Sequence, residues 1–113
     1  MEANIERFED YAVEAHKTAM YPEDKAIEYL ALGLAGEAGE VANKVKKIIR
    51  GDKNISNEEI IDELGDVLWY LSELSAKMAK ESTSPLAMVA SRNIQKLKSR
   101  AERGVIKGNG DNR

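Results

Sequence analysis

The sequence contains no cysteine and only one histidine, His16. The lack of cysteine excludes disulfides, thiolate zinc sites, iron–sulfur clusters and a cysteine nucleophile. A single histidine excludes the two-histidine zinc motifs and the paired Glu-x-x-His motifs of di-iron bundles. Carboxylates therefore remain as the main metal ligands, and they suit hard cations such as Mg²⁺ or Mn²⁺.

Long apolar runs and an excess of positive charge are also lacking. Uncharged apolar stretches such as residues 29–36 are far shorter than the ~18–20 residues that a membrane span needs. A formal net charge of −3 argues against a general nucleic-acid binder. The N-terminal segment has no basic region followed by an apolar stretch, so no signal peptide is apparent. We expect a cytoplasmic protein with no membrane or nucleic-acid partner.

The apolar spacing predicts four helices in one domain, because 113 residues fit a single domain and the apolar residues recur at i, i+3, i+4 and i+7. Ser56 and Glu59 form a capping-box pattern, and Gly51 and Gly104 are placed to end helices. The predicted helices run from Ile5 to about Ala19, from about Asp24 to Arg50, from Ser56 to about Met78, and from Ser84-Pro85 to about Arg103. The domain is expected to span residues 1–104, followed by a flexible Gly/Asn-rich tail, residues 105–113.

The predicted fold is an all-α, four-helix-type bundle. Its two long helices are expected to be antiparallel neighbours, and the two shorter helices add little to the core. A homodimer or homotetramer that completes the bundle is therefore expected.

Both long helices carry a pair of acids with the same spacing. Glu37 and Glu40 lie on the first, Glu63 and Asp66 on the second, and each pair puts two carboxylates about one turn apart on one side. Acids with this spacing are often ordinary solvated surface groups. Antiparallel packing, however, would bring all four together, and their repulsion would then require a counter-ion such as Mg²⁺ or Mn²⁺.

Four glycines inside the long helices accompany the acids: Gly33, Gly36, Gly39 and Gly65. Each costs about 1 kcal/mol relative to alanine in a helix interior. Two explanations stay open at this point, a close helix crossing and room for a ligand beside the acids.

The acid motifs resemble those of a known family. Gly36-Glu37-Ala38-Gly39-Glu40-Val41, followed by Asp62-Glu63-Leu64-Gly65-Asp66-Val67, is similar to the MazG-like group of all-α nucleoside triphosphate pyrophosphohydrolases. The resemblance extends through residues 93–97 and Arg100, and it covers most of the chain from about Leu30. One departure is Gly36, where the family often has an additional glutamate, so the number of metal ions stays open.

The resemblance implies an activity and a ligand set. Glu37, Glu40, Glu63 and Asp66 would bind Mg²⁺ and form the catalytic site, with Mn²⁺ as an alternative metal. The reaction would be hydrolysis of a nucleoside triphosphate between the α and β phosphates, giving a monophosphate and pyrophosphate. A bound divalent ion would neutralise phosphate charge and lower the pKa of the attacking water.

Substrate-binding residues are predicted on three helices. Tyr70 lies one turn after Asp66, where it would face the sugar or base, although a half-buried packing role fits equally well. Contacts with the triphosphate would come from two groups. The residues of these groups are Lys44 and Lys47 on the first long helix and, favoured by the resemblance, Asn93, Lys96 and Arg100 on the last helix.

Two alternative functions stay open. Within the same superfamily, the protein would be a pyrimidine-selective enzyme of the dUTP/dCTP type or a phosphoribosyl-ATP pyrophosphohydrolase. Outside catalysis, it would be a helical nucleotide-binding or interaction module that kept the acids without turnover.

Overall fold

The structure, a computed structural model, describes residues 4–52 and 54–104. It contains four α-helices and a short 3₁₀ turn at Glu23–Lys25. The helices are α1 (Phe8–His16), α2 (Ala26–Arg50), α3 (Asn57–Met78) and α4 (Pro85–Glu102). No strand occurs in these two ranges, so the all-α prediction is confirmed. The predicted tail, residues 105–113, lies outside the described residues.

The capping chemistry sets the ends of the two long helices. The Glu59 amide donates to the Ser56 hydroxyl (3.2 Å) and the Ser56 amide donates to the Glu59 carboxylate (3.0 Å), which confirms the predicted capping box at the start of α3. Gly51 ends α2 with a left-handed φ of 75°, a conformation that favours glycine. Ser84 precedes α4 as predicted, but its side chain makes no capping hydrogen bond.

Helices α2 and α3 form an antiparallel hairpin. Gly33, early in α2, faces Tyr70, late in α3, whereas Lys44 pairs with Glu63 near the other end of the hairpin. Helices α1 and α4 pack against α3 and against each other. Within the described ranges, the backbone of α4 makes no close approach to α2.

The apolar core of the chain is small. Its buried apolar residues are Ala15, Ala26, Leu30 and Leu86, of which only Leu30 is fully enclosed. Leu64, which the sequence pattern places at the centre of a buried stripe, keeps 51% of its surface exposed. Much of the apolar surface of the hairpin is therefore left uncovered by the described residues.

Among the described helices, none combines the length and the apolar character needed to cross a bilayer.

Candidate metal and nucleotide site

Three of the four predicted acids converge where α2 and α3 face each other. One carboxylate oxygen from each of Glu37, Glu63 and Asp66 lies within 4.8 Å of the other two. Glu37 comes from α2, whereas Glu63 and Asp66 lie one turn apart on α3. Glu37 and Glu63 are half-buried and Asp66 is exposed. We refer to these three residues as the acid cluster.

The electrostatics of the acid cluster show strain between like charges. Burial, and then the neighbouring charges of Asp66 and Glu63, raise the pKa of the Glu37 carboxyl. Carboxylates held this close favour either a bound proton or a bound cation. The all-oxygen, half-buried donor set fits a hard divalent cation such as Mg²⁺ or Mn²⁺.

Glu40, the fourth predicted acid, stands outside the acid cluster. It follows Glu37 by about one turn of α2 and is exposed to solvent. Its charge still contributes to the raised pKa of Glu37. Glu40 is therefore an electrostatic neighbour of the cluster, without an oxygen at ligand distance from all three of its members.

The two predicted lysines of α2 have different surroundings. The Lys44 ammonium lies 3.2 Å from a carboxylate oxygen of Glu63, and both side chains are largely buried, with 24% and 17% of their surface exposed. Lys44 therefore partly neutralises the acid cluster, a role that the sequence pattern did not predict. Lys47 follows about one turn later and is half-buried.

Tyr70 borders the acid cluster and accounts for one of the four glycines. A Cβ atom added to Gly33 would lie well inside van der Waals contact with the Tyr70 ring. Burial, contact with Tyr29, and the charges of Glu37 and Asp66 raise the pKa of the Tyr70 phenol. At Gly36, Gly39 and Gly65, an added Cβ would meet no atom within 4 Å. Close approach therefore explains Gly33, whereas the other three leave open space.

Three further aromatic side chains lie beside Tyr70, and the sequence pattern did not predict them as site residues. The Tyr29 ring lies 6.4 Å from that of Tyr70, Tyr21 stacks on Tyr29 at 5.9 Å, and Trp69 meets Tyr70 edge-on at 5.0 Å. Four of the chain's six aromatic residues thus form one contiguous set, Tyr21, Tyr29, Trp69 and Tyr70. No local spacing in the sequence predicts this set, since Tyr21 and Tyr29 are distant in sequence from Trp69 and Tyr70.

The predicted residues of α4 share a separate concave surface. Asn93, Lys96 and Arg100 line a cavity of about 560 Å³ together with Arg92 and other α4 residues. Arg100 is 5% exposed, although cationic side chains are usually found at the surface. Since α4 packs against α1 and α3, these residues are not brought directly against Glu37 on α2.

The site falls within a recognised domain. A family model described as the MazG nucleotide pyrophosphohydrolase domain matches residues 25–105, more than two thirds of the chain. The chain belongs to the MazG family. The MazG match includes the whole α2–α3 hairpin and α4, and therefore every predicted site residue, whereas α1 lies before it.

A further comparison finds a relative of similar length. The MazG-family chain is 44% identical to the "Gene 37 protein" of Mycobacterium phage L5, over an alignment that covers 91% of this chain and 96% of that protein. No solved structure matches the chain significantly.

Proposed function

We propose that this MazG-family protein hydrolyses a nucleoside triphosphate between the α and β phosphates and releases a monophosphate and pyrophosphate. The observation that carries the proposal is the acid cluster, in which three carboxylate oxygens on two facing helices lie within 4.8 Å of one another. Such a cluster suits Mg²⁺ or Mn²⁺, and members of the family are described as nucleotide pyrophosphohydrolases.

The proposed roles of the acids follow from their positions. Glu37, Glu63 and Asp66 would hold the metal. A bound ion would neutralise the phosphate charge and lower the pKa of the attacking water. Glu40, outside the cluster but about one turn from Glu37, would orient or deprotonate that water.

The proposed substrate contacts come from the border of the acid cluster and from the separate surface of α4. Tyr70 borders the carboxylates and would face the sugar or base. Lys44 would move from Glu63 toward a phosphate oxygen when a metal ion takes over the Glu63 charge, with Lys47 about one turn further along. Asn93, Lys96 and Arg100 would bind the triphosphate from α4, since guanidinium and ammonium groups match phosphate oxygens.

Purified protein with Mg²⁺ is expected to release pyrophosphate, rather than orthophosphate, from at least one ribo- or deoxyribonucleoside triphosphate. The measurement is a pyrophosphate-release screen over purine, pyrimidine and modified nucleotides, repeated with Mn²⁺ and with excess chelator. Chelator is expected to abolish release, because the acid cluster without a cation repels the triphosphate.

The screen also separates the alternatives. A strong preference for dUTP or dCTP, or activity confined to phosphoribosyl-ATP, would assign one of the two narrower enzymes. Absence of release across the full panel would refute hydrolysis. The non-catalytic module would then be supported if nucleotide with Mg²⁺ still raised the melting temperature, because a ligand that binds the native state must stabilise it.

We also propose that the chain functions as a homodimer or homotetramer. Near the turn of the α2–α3 hairpin, both helices expose large apolar side chains, among them Ile49 (82% exposed) and Ile61 (60% exposed). A surface of this kind is typical of a protein–protein contact. Burial against a second copy would enlarge the small core that one chain forms.

Light scattering coupled to size exclusion is expected to give two or four times the 12.5 kDa mass of one chain. Ile61→Glu should shift the mass toward that of the monomer, because a charge cannot be buried unpaired at an apolar contact. Met20→Glu is the control, since Met20 is 94% exposed and lies outside the hairpin. A monomeric wild-type protein would refute the proposed assembly.

A further inference from the structure

One buried carboxylate is not part of the acid cluster. Glu73 lies on α3 and is 2% exposed. A glutamate is rarely enclosed to this degree unless its charge is paired and hydrogen-bonded. The proposed hydrolysis assigns no role to Glu73.

The partners of Glu73 come from distant parts of the sequence. The Tyr21 hydroxyl donates a hydrogen bond to Oε1 of Glu73 at 2.7 Å. His16 Nδ1 lies 3.1 Å from Oε1 and 3.3 Å from Oε2. Glu73 therefore ties the end of α1 and the segment before α2 to the C-terminal half of α3.

The hydrogen bond from Tyr21 also determines where an aromatic ring is held. The Tyr21 ring stacks on Tyr29 with 26° between the ring planes and meets Trp69 edge-on at 6.3 Å. Tyr29 in turn contacts Tyr70, the aromatic residue that borders the acid cluster. Glu73 thus lies at one end of a continuous series of contacts, and the acid cluster lies at the other.

We propose that Glu73 is a positioning residue for the nucleotide: by fixing the Tyr21 hydroxyl, it holds the contacting rings of Tyr21, Tyr29 and Tyr70 in place beside the acid cluster. This inference rests on the proposed function. It assigns Glu73 to nucleotide affinity and leaves the hydrolytic step to the acids of the cluster. A hydrogen bond to a carboxylate is short and strong, so it suits the fixing of a ring on a segment between two helices.

The experiment compares variants that remove the hydrogen bond with one that keeps it. Tyr21→Phe and Glu73→Leu remove it, whereas Glu73→Gln keeps an oxygen that accepts from the Tyr21 hydroxyl. We expect the first two to raise KM for the best nucleotide of the screen by about tenfold, with kcat within about twofold of wild type, because misplaced contacts weaken binding of the substrate and transition state alike. Glu73→Gln should restore KM to within about twofold of wild type, because it still fixes Tyr21.

Glu14→Leu is the control, because Glu14 is an exposed acid of α1 whose carboxylate pairs with Lys17 and takes no part in the contacts of Glu73. It is expected to leave KM unchanged. Melting temperatures of all variants are measured in parallel. If Tyr21→Phe and Glu73→Leu lower the melting temperature but leave KM at the wild-type value, Glu73 has a purely structural role and the proposal is wrong.

A binding measurement separates this proposal from the proposed function. Trp69 is the only tryptophan of the chain and contacts both Tyr21 and Tyr70, so its fluorescence reports on the aromatic set. Titration with an α,β-methylene nucleotide and Mg²⁺ gives a Kd without turnover. Weaker binding by Tyr21→Phe supports positioning even if wild-type protein releases no pyrophosphate, whereas equal Kd values overturn it. A wild-type protein that neither binds nor hydrolyses nucleotide would overturn both proposals.

Discussion

Replacing Glu37, Glu63 or Asp66 by its amide is expected to lower Mg²⁺-dependent pyrophosphate release by ~100-fold or more. Each amide keeps the size of the side chain but removes one of the three charged oxygens that lie within 4.8 Å of one another. Loss of even an outer partner of a metal ligand commonly costs about 10–100-fold in affinity or activity, and loss of a ligand costs at least as much. The measurement is the rate of pyrophosphate release at saturating nucleotide over a range of Mg²⁺ concentrations.

Matched controls decide whether the loss is specific to the cluster. Glu28→Gln on α2 and Glu58→Gln on α3 remove exposed acids from the same helices and should retain wild-type rates. Glu40→Gln should abolish release while keeping the rise in melting temperature that Mg²⁺ produces, because Glu40 lies outside the cluster. Full activity in the three cluster variants would show that the cluster is an ordinary group of surface acids.

The same substitution at Glu37 should stabilise the metal-free protein at neutral pH. The pKa of Glu37 is raised in the folded chain, so ionisation of this carboxyl opposes folding. The penalty is absent at low pH, where the group is protonated in both states. It develops as the pH rises above the pKa that the Glu37 carboxyl has in the unfolded chain. The free energy of unfolding of Glu37→Gln, measured by chemical denaturation, should therefore exceed that of wild type by a margin that grows with pH. The order should reverse when Mg²⁺ is added, because the variant lacks one of the charged ligands.

Gly33→Ala is expected to lower both stability and nucleotide affinity. The new methyl group would overlap the Tyr70 ring, which is itself packed against Tyr29 and Trp69. Overpacking costs about 1–3 kcal/mol, whereas alanine gains about 1 kcal/mol of helix propensity, so the free energy of unfolding should fall by up to about 2 kcal/mol. Displacement of Tyr70 should also raise KM. Urea denaturation and the pyrophosphate assay measure the two effects.

The remaining helical glycines provide an internal comparison. An added Cβ at Gly36, Gly39 or Gly65 meets open space, so alanine there should raise the free energy of unfolding by up to about 1 kcal/mol through helix propensity alone. A stabilised variant that loses activity would indicate that the open space beside the acids receives the ligand. Stabilisation by Gly33→Ala would show that the Tyr70 ring moves aside without cost, contrary to the prediction.

Features that depend on neighbouring residues were predictable from the sequence. The capping box at Ser56, the glycine end of α2 and the one-turn spacing within each acid pair are all local patterns, and the structure contains each of them. The antiparallel arrangement of the two pairs followed from the short connection between the long helices. These patterns were sufficient to bring Glu37, Glu63 and Asp66 together in the prediction.

Features that depend on side-chain packing between helices were not predictable. The position of Glu40 outside the cluster depends on how α2 is rotated against α3, and a 100° helical wheel does not resolve that rotation. The burial of Glu73 was not predictable, because its partners, His16 and Tyr21, lie 57 and 52 residues away in the sequence. Leu64 matches a buried stripe by its spacing, yet no helix among the described residues covers it fully.

Helices α2 and α3 are adjacent in sequence, and this affects the order in which parts of the chain fold. The acid cluster is assembled within residues 37–66, two helices joined by a short turn, so its formation closes only a small loop. The contacts of α1 with Glu73 close a loop nearly twice as long, and the entropy lost in closure rises with loop length. Local contacts form faster than distant ones. We therefore expect the carboxylates to meet early in folding, before α1 and Tyr21 are in place, and a divalent cation in solution to assist the pairing of the two helices from that stage onward.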